Sequence, residues 1–359
     1  MKGWMKCALG VTMTPVMGAV TACSSSSGAA SAPKTDAQFQ QEATQGMHDS
    51  LQTDLKALVK AATDMQAAAP DHPWDETDPA VPVMEAAWIA ARHAYEHVEG
   101  ATAPVFPDID ISIDGRVEDF SMGAGTGALN ATSDMFSDQG MTGLHAVERI
   151  LYASVTPASV VAYETGLGYV PPQSYPKTQQ DADDFKNKLC AKIITDATDL
   201  LNGWTPAMID IGSAFSGLTS LMNEQKEKVT KAGLDQEESR YSQRTMDDLR
   251  QNLAGTTIIY AVFSPWIKSK AGGSDVDAKV NASFVGLKSV YDSAAYAGDA
   301  FPKPPADWSD VTPSAADLMT PFGQLYTAAD SAVDATKADS TVSEMNDAAA
   351  LCGLPTFTE

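Results

Sequence analysis

Basic residues are scarce in this sequence. Its 359 residues hold 24 Lys and Arg against 47 Asp and Glu, a formal net charge of −23. Holding a nucleic-acid backbone needs a surplus of cations, so bulk charge speaks against nucleic acid as a partner. Long apolar runs are missing too. No stretch of about 20 apolar residues occurs, which excludes a multi-span membrane protein. Val, Ile and Thr never alternate for more than a few residues, so no convincing strand can be read. Cysteine is rare, with four in the chain, and no C-x-x-C pair offers a thiolate metal site. Neither H-E-x-x-H nor G-x-S-x-G occurs, which removes support for two common hydrolase layouts. The chain is nevertheless 44 % hydrophobic, too apolar for a disordered acidic tail.

The amino terminus has the features of an export signal. Lys2 and Lys6 precede an apolar stretch from Cys7 to Val20, and Val20-Thr21-Ala22-Cys23 follows. A basic start, an apolar middle and small residues before a cleavage point define such a signal. The Cys after small residues resembles a bacterial lipobox. The expectation is a lipoprotein signal at 1–22, lipidation of Cys23, a flexible tether at 23–34 and a helical domain at 35–359. The mature chain would then be lipid-anchored to the outer face of the cell membrane, or periplasmic, without spanning the bilayer. Removing Cys7 and Cys23 from the count leaves Cys190 and Cys352. In an exported protein two cysteines suggest one disulfide; two buried free thiols are the alternative.

Beyond the tether, helical periodicity dominates. Phe39, Met47, Leu51, Leu55, Leu58 and Val59 form one apolar stripe between about Asp36 and Ala69. Further helices are expected over Pro82–Glu99, from Gly143 past Tyr152, and over Thr178–Leu201, Pro206–Lys231, Tyr241–Ser269, Val276–Gly298, Ala315–Lys337 and Thr341–Leu351. Between them, Ala103–Gly140 is rich in Pro, Gly, Asp and Ser, and a connector of that length suggests a functional or partly helical loop. The fold class is all-α, in antiparallel helix bundles. A short echo, Tyr95 to Phe106-Pro107 and Tyr296 to Phe301-Pro302, suggests two duplicated half-bundles.

One histidine has a distinctive setting. In Gly143-Leu144-His145-Ala146-Val147-Glu148 the His and Glu are three apart on a helix and share a face. Imidazole plus carboxylate is a competent ligand pair for zinc, iron or copper. Two ligands are not a site. Acidic partners are available from Glu96 and Glu99, which share a face, or from Asp108, Asp110, Asp114, Glu118 and Asp119. Among the latter, Arg116 would neutralise and orient carboxylates. His93 and His97 are four apart and could clamp a metal, although His97 lies about 100° around the helix from either Glu.

The pattern Gly143-x-His145-x-x-Glu148 resembles the GxHxxE signature of the imelysin-like family, which includes the EfeO and EfeM components of bacterial iron uptake. Upstream, Arg92-x-x-Tyr95-x-x-Val98-Glu99, Phe106-Pro107-x-Ile109-Asp110 and Ile113-Asp114-x-Arg116-Val117-Glu118-Asp119 resemble that family's corresponding block. Downstream, Glu237-Glu238-Ser239-Arg240-Tyr241-Ser242 and Asp248-Leu249-x-x-Asn252-x-x-Gly255 resemble its next helix start. Leu144 and Ala146 depart from the aromatic and basic residues common in members, and Gln243 stands where many carry His.

The resemblance implies an imelysin-like fold of two pseudo-repeated four-helix halves. It implies a metal site of His145 and Glu148 with Glu96, Glu99 and Asp114, to which Glu238, or its neighbour Glu237, is added. Such a set suits Fe(III), Fe(II), Zn(II) or Cu(II), with iron favoured by the family. The implied role is metal capture for an EfeUOB-type uptake system, with a membrane iron permease and a haem-peroxidase-like protein as partners. The alternatives are a metallopeptidase, after the family's historical name, and metal-bridged binding of an acidic polysaccharide.

Overall fold

The first long helix starts where a side chain can cap it. Thr35 Oγ1 accepts from the Gln38 N–H, and the Gln38 side chain accepts from the Thr35 N–H at 2.8 Å. This reciprocal cap satisfies two amides that no helical carbonyl can reach. From it α1 (Asp36–Ala68) runs, burying Met47, Leu51, Leu55, Leu58 and Met65 along the expected stripe. The computed structural model describes residues 33–115, 141–166, 174–234 and 236–358. Cys23, the signal and Arg116 to Asp119 lie outside the described residues.

After α1 the chain turns through its prolines into α2 (Val81–Thr102), which opens with a Pro in its first turn. Pro is tolerated there because the N–H it lacks would have had no partner. α3 (Pro107–Asp110) passes directly into a π-helical turn, Ile111–Gly115. α4 (Leu144–Leu151) carries the His-Glu pair, and α5 (Ala158–Gly166) follows. α6 (Gln179–Asp184) continues through a π-helical turn (Phe185–Cys190) into α7 (Ala191–Gly203). The two long helices α8 (Ile211–Ala232) and α9 (Thr245–Lys268) come next. α10 (Gly273–Tyr291), α11 (Pro321–Val333) and α12 (Thr341–Cys352) complete the order. Among the described residues there is no strand, as the sequence pattern requires.

α1 packs against α2 and α7, and α2 packs against both α8 and α9. On their other side α8 and α9 meet α10, α11 and α12. The central pair therefore belongs to two groups of helices at once. Trp88, Trp204 and Trp266 are among the largest fully buried side chains. Among the described residues no helix is long and apolar enough to cross a membrane.

Several boundaries differ from the sequence reading, each for a local reason. α8 begins after Asp210, whose carboxylate caps the Ser213 N–H at 2.9 Å, rather than at Pro206. α9 begins at Thr245, because residues around Tyr241 form a tight turn in which Gln243 takes a left-handed φ of 58°. α11 begins at Pro321 behind a Thr320 cap. The echo is not a structural repeat at its own residues: Tyr95 lies inside α2, whereas Tyr296 ends a short 3-10 turn. The expected disulfide is not formed. Cys190 and Cys352 are both buried free thiols, one in the turn before α7 and the other ending α12. Burial pushes the Cys190 thiol up to about 12 and the Cys352 thiol up to about 11, which keeps both unreactive as thiolates.

α2 and α9 approach closely at Gly255. A Cβ there would lie 2.3 Å from the His97 carbonyl oxygen, well inside contact distance, and neither helix backbone can yield cheaply. Gly255→Ala is expected to destabilise the protein by about 1–3 kcal/mol, the usual cost of overpacking. Urea unfolding checks this; an unchanged midpoint would mean that the two helices do not hold each other at this point.

Candidate metal centre

Helical spacing builds the site before any ligand is considered. On α2, Arg92, Glu96 and Glu99 recur at i, i+4 and i+7, so they share one face. On α9, Asp248, Asn252 and Gly255 recur at the same spacing. Because Gly255 lets the helices touch, the two polar faces meet. Between them they enclose Arg92, which is 1 % exposed.

Arg92 is surrounded by acids from four segments. Its guanidinium pairs with Glu96 on its own helix and with Asp114 from the π-helical turn. It reaches Glu238 Oε1 at 2.8 Å, from the turn before α9, and Asp248 Oδ1 at 3.4 Å. Lys228 of α8 is the second cation. Its ammonium pairs with Glu238 Oε2, donates to Asn252 Oδ1 at 3.0 Å, and lies 3.9 Å from Glu96 Oε2. The Asn252 amide in turn donates to Glu96 and, at 2.9 Å, to Glu99 Oε2. Two cations thus face five carboxylates in a poorly hydrated interior, where an uncompensated charge is costly.

The carboxyl groups divide accordingly. Burial drives Glu96 well above the usual carboxylate range and Glu99 to about 8, and Asp248 to about 6, although Arg92 and Lys228 partly offset it. For Asp114 burial also opposes ionisation, but Arg92 and His145 more than offset it and hold its carboxyl well below the usual range. Glu238 is likewise lowered against its burial by Lys228 and Arg92. Asp114 and Glu238, both on the cavity wall, are thus the two of the five that ionise most readily.

His145 completes this side. It stands in the first turn of α4, whose entry is set by Gly143 at φ 90°. A Cβ on Gly143 would lie 2.3 Å from the Ile113 carbonyl oxygen, so only glycine lets α4 start against the turn that carries Asp114. The Trp88 indole N–H, donating to the Leu144 carbonyl at 2.8 Å, ties the same point to α2. His145 Nδ1 lies 2.7 Å from Glu148 Oε2 and Nε2 lies 3.3 Å from Asp114 Oδ1. Glu148 Oε1 is occupied separately. It accepts from the Tyr241 N–H at 3.1 Å, and from the Ser242 N–H and hydroxyl, both at 2.8 Å. Burial and Arg92 oppose a positive imidazole, but Asp114 and Glu148 prevail and push His145 up to about 10.

Donor atoms of Asp114, His145 and Glu238 lie within 4.8 Å of one another, as do those of Glu96, Glu238 and Asp248 around Arg92. His145 Nε2 is buried and, among the described residues, has no hydrogen-bond partner. Asp114 and Glu238 of the first group line a cavity of about 140 Å³ whose wall also includes Glu99, Glu224, Glu227, Lys228 and Lys231. An imidazole nitrogen with carboxylate oxygens fits a hard or borderline cation.

The residues expected from sequence are thus unequally placed. His145, Asp114 and Glu238 converge. Glu96 lies behind them on Arg92, and Glu99 lines the cavity. Glu148 sits at the opposite ring nitrogen from Asp114, where it orients the imidazole. Glu237 turns away, accepting from Gln243 Nε2 at 2.6 Å. Asp110 is held by the Tyr95 hydroxyl. His93 and His97 contact Asp247 at 2.7 Å and Gln251 at 2.9 Å, on another side of α2. Sequence reading missed the roles of Arg92, Lys228, Asp248 and Asn252. Arg92 and Glu96 at i, i+4, and Asp248 and Asn252 at the same spacing, were the available signal.

Known proteins give this arrangement a context. Residues 43–307 match the family model described as Peptidase M75, Imelysin. No curated protein matches the chain. The fold is similar to the crystal structure of an imelysin-like protein from Psychrobacter arcticum 273-4, with 11 % identity and a TM-score of 0.52 over 91 % of this chain and 99 % of that one. A structure from Parabacteroides distasonis ATCC 8503, named for an iron-regulated protein A precursor, gives 14 % identity and a TM-score of 0.46 over 83 % of this chain and 93 % of that one.

Two measurements probe the charge balance. Arg92→Met leaves buried carboxylates uncompensated, and a loss of about 3–5 kcal/mol in unfolding free energy is expected; a loss under about 1 kcal/mol would show that Arg92 is not their counterion. The second concerns Glu237, which burial pushes up to about 8. Its folded pKa exceeds the unfolded one, so its contribution is fully present below about pH 4.5 and is lost as pH rises through about 8. Between pH 5.5 and 8.5, unfolding of Glu237→Gln should therefore lose less stability than wild type. Parallel curves would sink the assignment.

Proposed function

The chain belongs to the imelysin family, and on that premise we propose that it is an extracytoplasmic metal-binding protein that captures iron and passes it to a membrane permease. One observation carries this reading: the donors of Asp114, His145 and Glu238 converge beside an acidic cavity that Asp114 and Glu238 line, with His145 Nε2 buried, free of any hydrogen bond among the described residues and 3.3 Å from Asp114 Oδ1. The metal is cargo, so capture and release suffice and no covalent step is required.

Three residues would hold the ion. His145 would donate through Nε2, Asp114 and Glu238 through carboxylate oxygens. Glu148 would act on the other ring nitrogen, fixing the tautomer and raising the basicity of the ligand. Its own second oxygen is locked by the Tyr241 and Ser242 amides, which makes the orientation rigid. Nitrogen with oxygen ligation and no thiolate suits iron, with zinc or copper as competitors; both described cysteines are buried in other elements. Glu99, Glu224 and Glu227 along the wall would raise the local cation concentration. Lipidation of Cys23 would keep the protein at the outer face of the cell membrane, beside an iron permease and a haem-peroxidase-like partner.

Calorimetry with Fe2+ under anaerobic conditions, and with Zn2+, tests the site. His145→Ala should lose about 100-fold or more in affinity, and Glu148→Gln about 10–100-fold, the range for residues that orient a ligand. Affinity should also rise with pH, because His145, pushed up to about 10, must shed its proton before it can ligate. Equal binding by wild type and His145→Ala would refute the site. Casein cleavage by wild type that disappears in Glu148→Ala would instead favour a metallopeptidase.

A further inference from the structure

The Asp114–His145–Glu238 group is already occupied by a cation of the protein's own. Glu238 divides its two oxygens between Arg92 at 2.8 Å and the ammonium of Lys228. Lys228 and Glu238 both line the cavity, whereas Arg92 is not part of its wall. The two cations differ in kind. Arg92 is a planar fork fixed by several carboxylates, whereas an ammonium is a point charge on a flexible four-carbon stem. Lys228 has one close carboxylate partner, Glu238, besides the Asn252 amide, whereas Arg92 has four carboxylates within reach, so the ammonium is the easier of the two to displace.

A destination exists on the same helix. Glu224 lies one turn before Lys228, at the i−4 spacing that permits an ion pair, and it lines the same cavity. Its carboxylate accepts from the Ser220 hydroxyl at 3.1 Å. Glu227, also on the wall, is already paired with Lys231 at 2.8 Å. Glu224 further borders a second cavity of about 460 Å³, walled by Ser213, Ser216 and Phe357, so there is room beside it.

We propose that Lys228 is a resident counter-cation that a captured metal displaces from Glu238, and that Glu224 receives it. The metal then binds only at the expense of an ion pair, which weakens capture and eases release. Returning, the ammonium would compete the metal off Glu238. This rests on the metal-binding reading above and adds to it a residue that sets affinity from inside the site. An ammonium on the same carboxylate oxygen as a multivalent cation is repelled by it, which favours its departure when the metal binds.

The experiment is calorimetric titration of the full chain with Zn2+, alongside Lys228→Met, Lys228→Gln and Glu224→Gln. Both Lys228 variants should bind zinc about tenfold tighter or more, in line with the coupling of close charge pairs; the Gln variant keeps a polar head should the Met variant fold poorly. Glu224→Gln should bind several-fold more weakly, because the displaced ammonium has lost its acceptor. A zinc-loaded crystal structure should place Lys228 Nζ off Glu238. Zinc binding by wild type with equal or weaker binding by both Lys228 variants overturns the proposal. So does a zinc-loaded structure in which Lys228 still holds Glu238. Unchanged affinity in Glu224→Gln overturns the receiving role. Failure of wild type to bind zinc or iron at all would instead overturn the metal reading on which the proposal stands.

Discussion

The buried guanidinium of Arg92 is the constraint on which the centre of this protein depends. Acids from α2, the π-helical turn after α3, the turn before α9, and α9 itself all converge on it. No such gathering of carboxylates survives in a dehydrated interior without a counterion, and Arg is the one side chain that stays charged there under all relevant conditions. A buried ion network of this kind is weak evidence for stability, since hydrophobic residues often do as well. Its retention is better explained by what it organises. Arg92 ties Glu96 and Asp248 to Asp114 and Glu238, and so fixes the two carboxylates that meet His145.

Backbone contacts make that organisation possible. Glycines sit at the two places where side chains would hold the elements apart. Gly255 brings the polar face of α9 onto α2, and Gly143 brings α4 onto the turn that carries Asp114. Fixed hydrogen bonds then set the details. The Trp88 indole positions the start of α4, and the Tyr241 and Ser242 amides grip Glu148. The imidazole is consequently held by one nitrogen while the other faces the acids. This division of labour between a holding carboxylate and presenting carboxylates is a property of the fold, since both kinds of residue look alike in the chain.

Much of the helical order was legible in the residues. The apolar stripe of α1, the Pro in the first turn of α2, the helix start at Thr178 and the pattern around His145 all translate local physical chemistry into local structure. Boundaries failed where a side chain intervened. Asp210 moved the start of α8, and the left-handed Gln243 removed the first turn expected of α9. The family resemblance rested on several blocks, and those blocks turn out to be the segments that meet at Arg92. Yet a motif letter carries no role by itself. Nothing local marks Arg92, Asp248 and Asn252 as members of one cluster, and a lone Lys on an amphipathic helix, as Lys228 is, has no signature.

The sequence by itself determined the all-helical class, the acidic balance, the His145–Glu148 pairing and a short set of candidate acids. These follow from periodicity and spacing, which act within a few residues along one chain. Tertiary structure decided which of those acids matter and how. It turned Glu237 to Gln243 and Glu238 to Arg92 and Lys228, although the two are neighbours in the chain. It placed Glu148 behind the imidazole rather than beside Asp114, and it left Cys190 and Cys352 as separate buried thiols. The reason is physical: charge compensation and burial are settled between segments far apart in sequence, and no local pattern records which partner lies across the core.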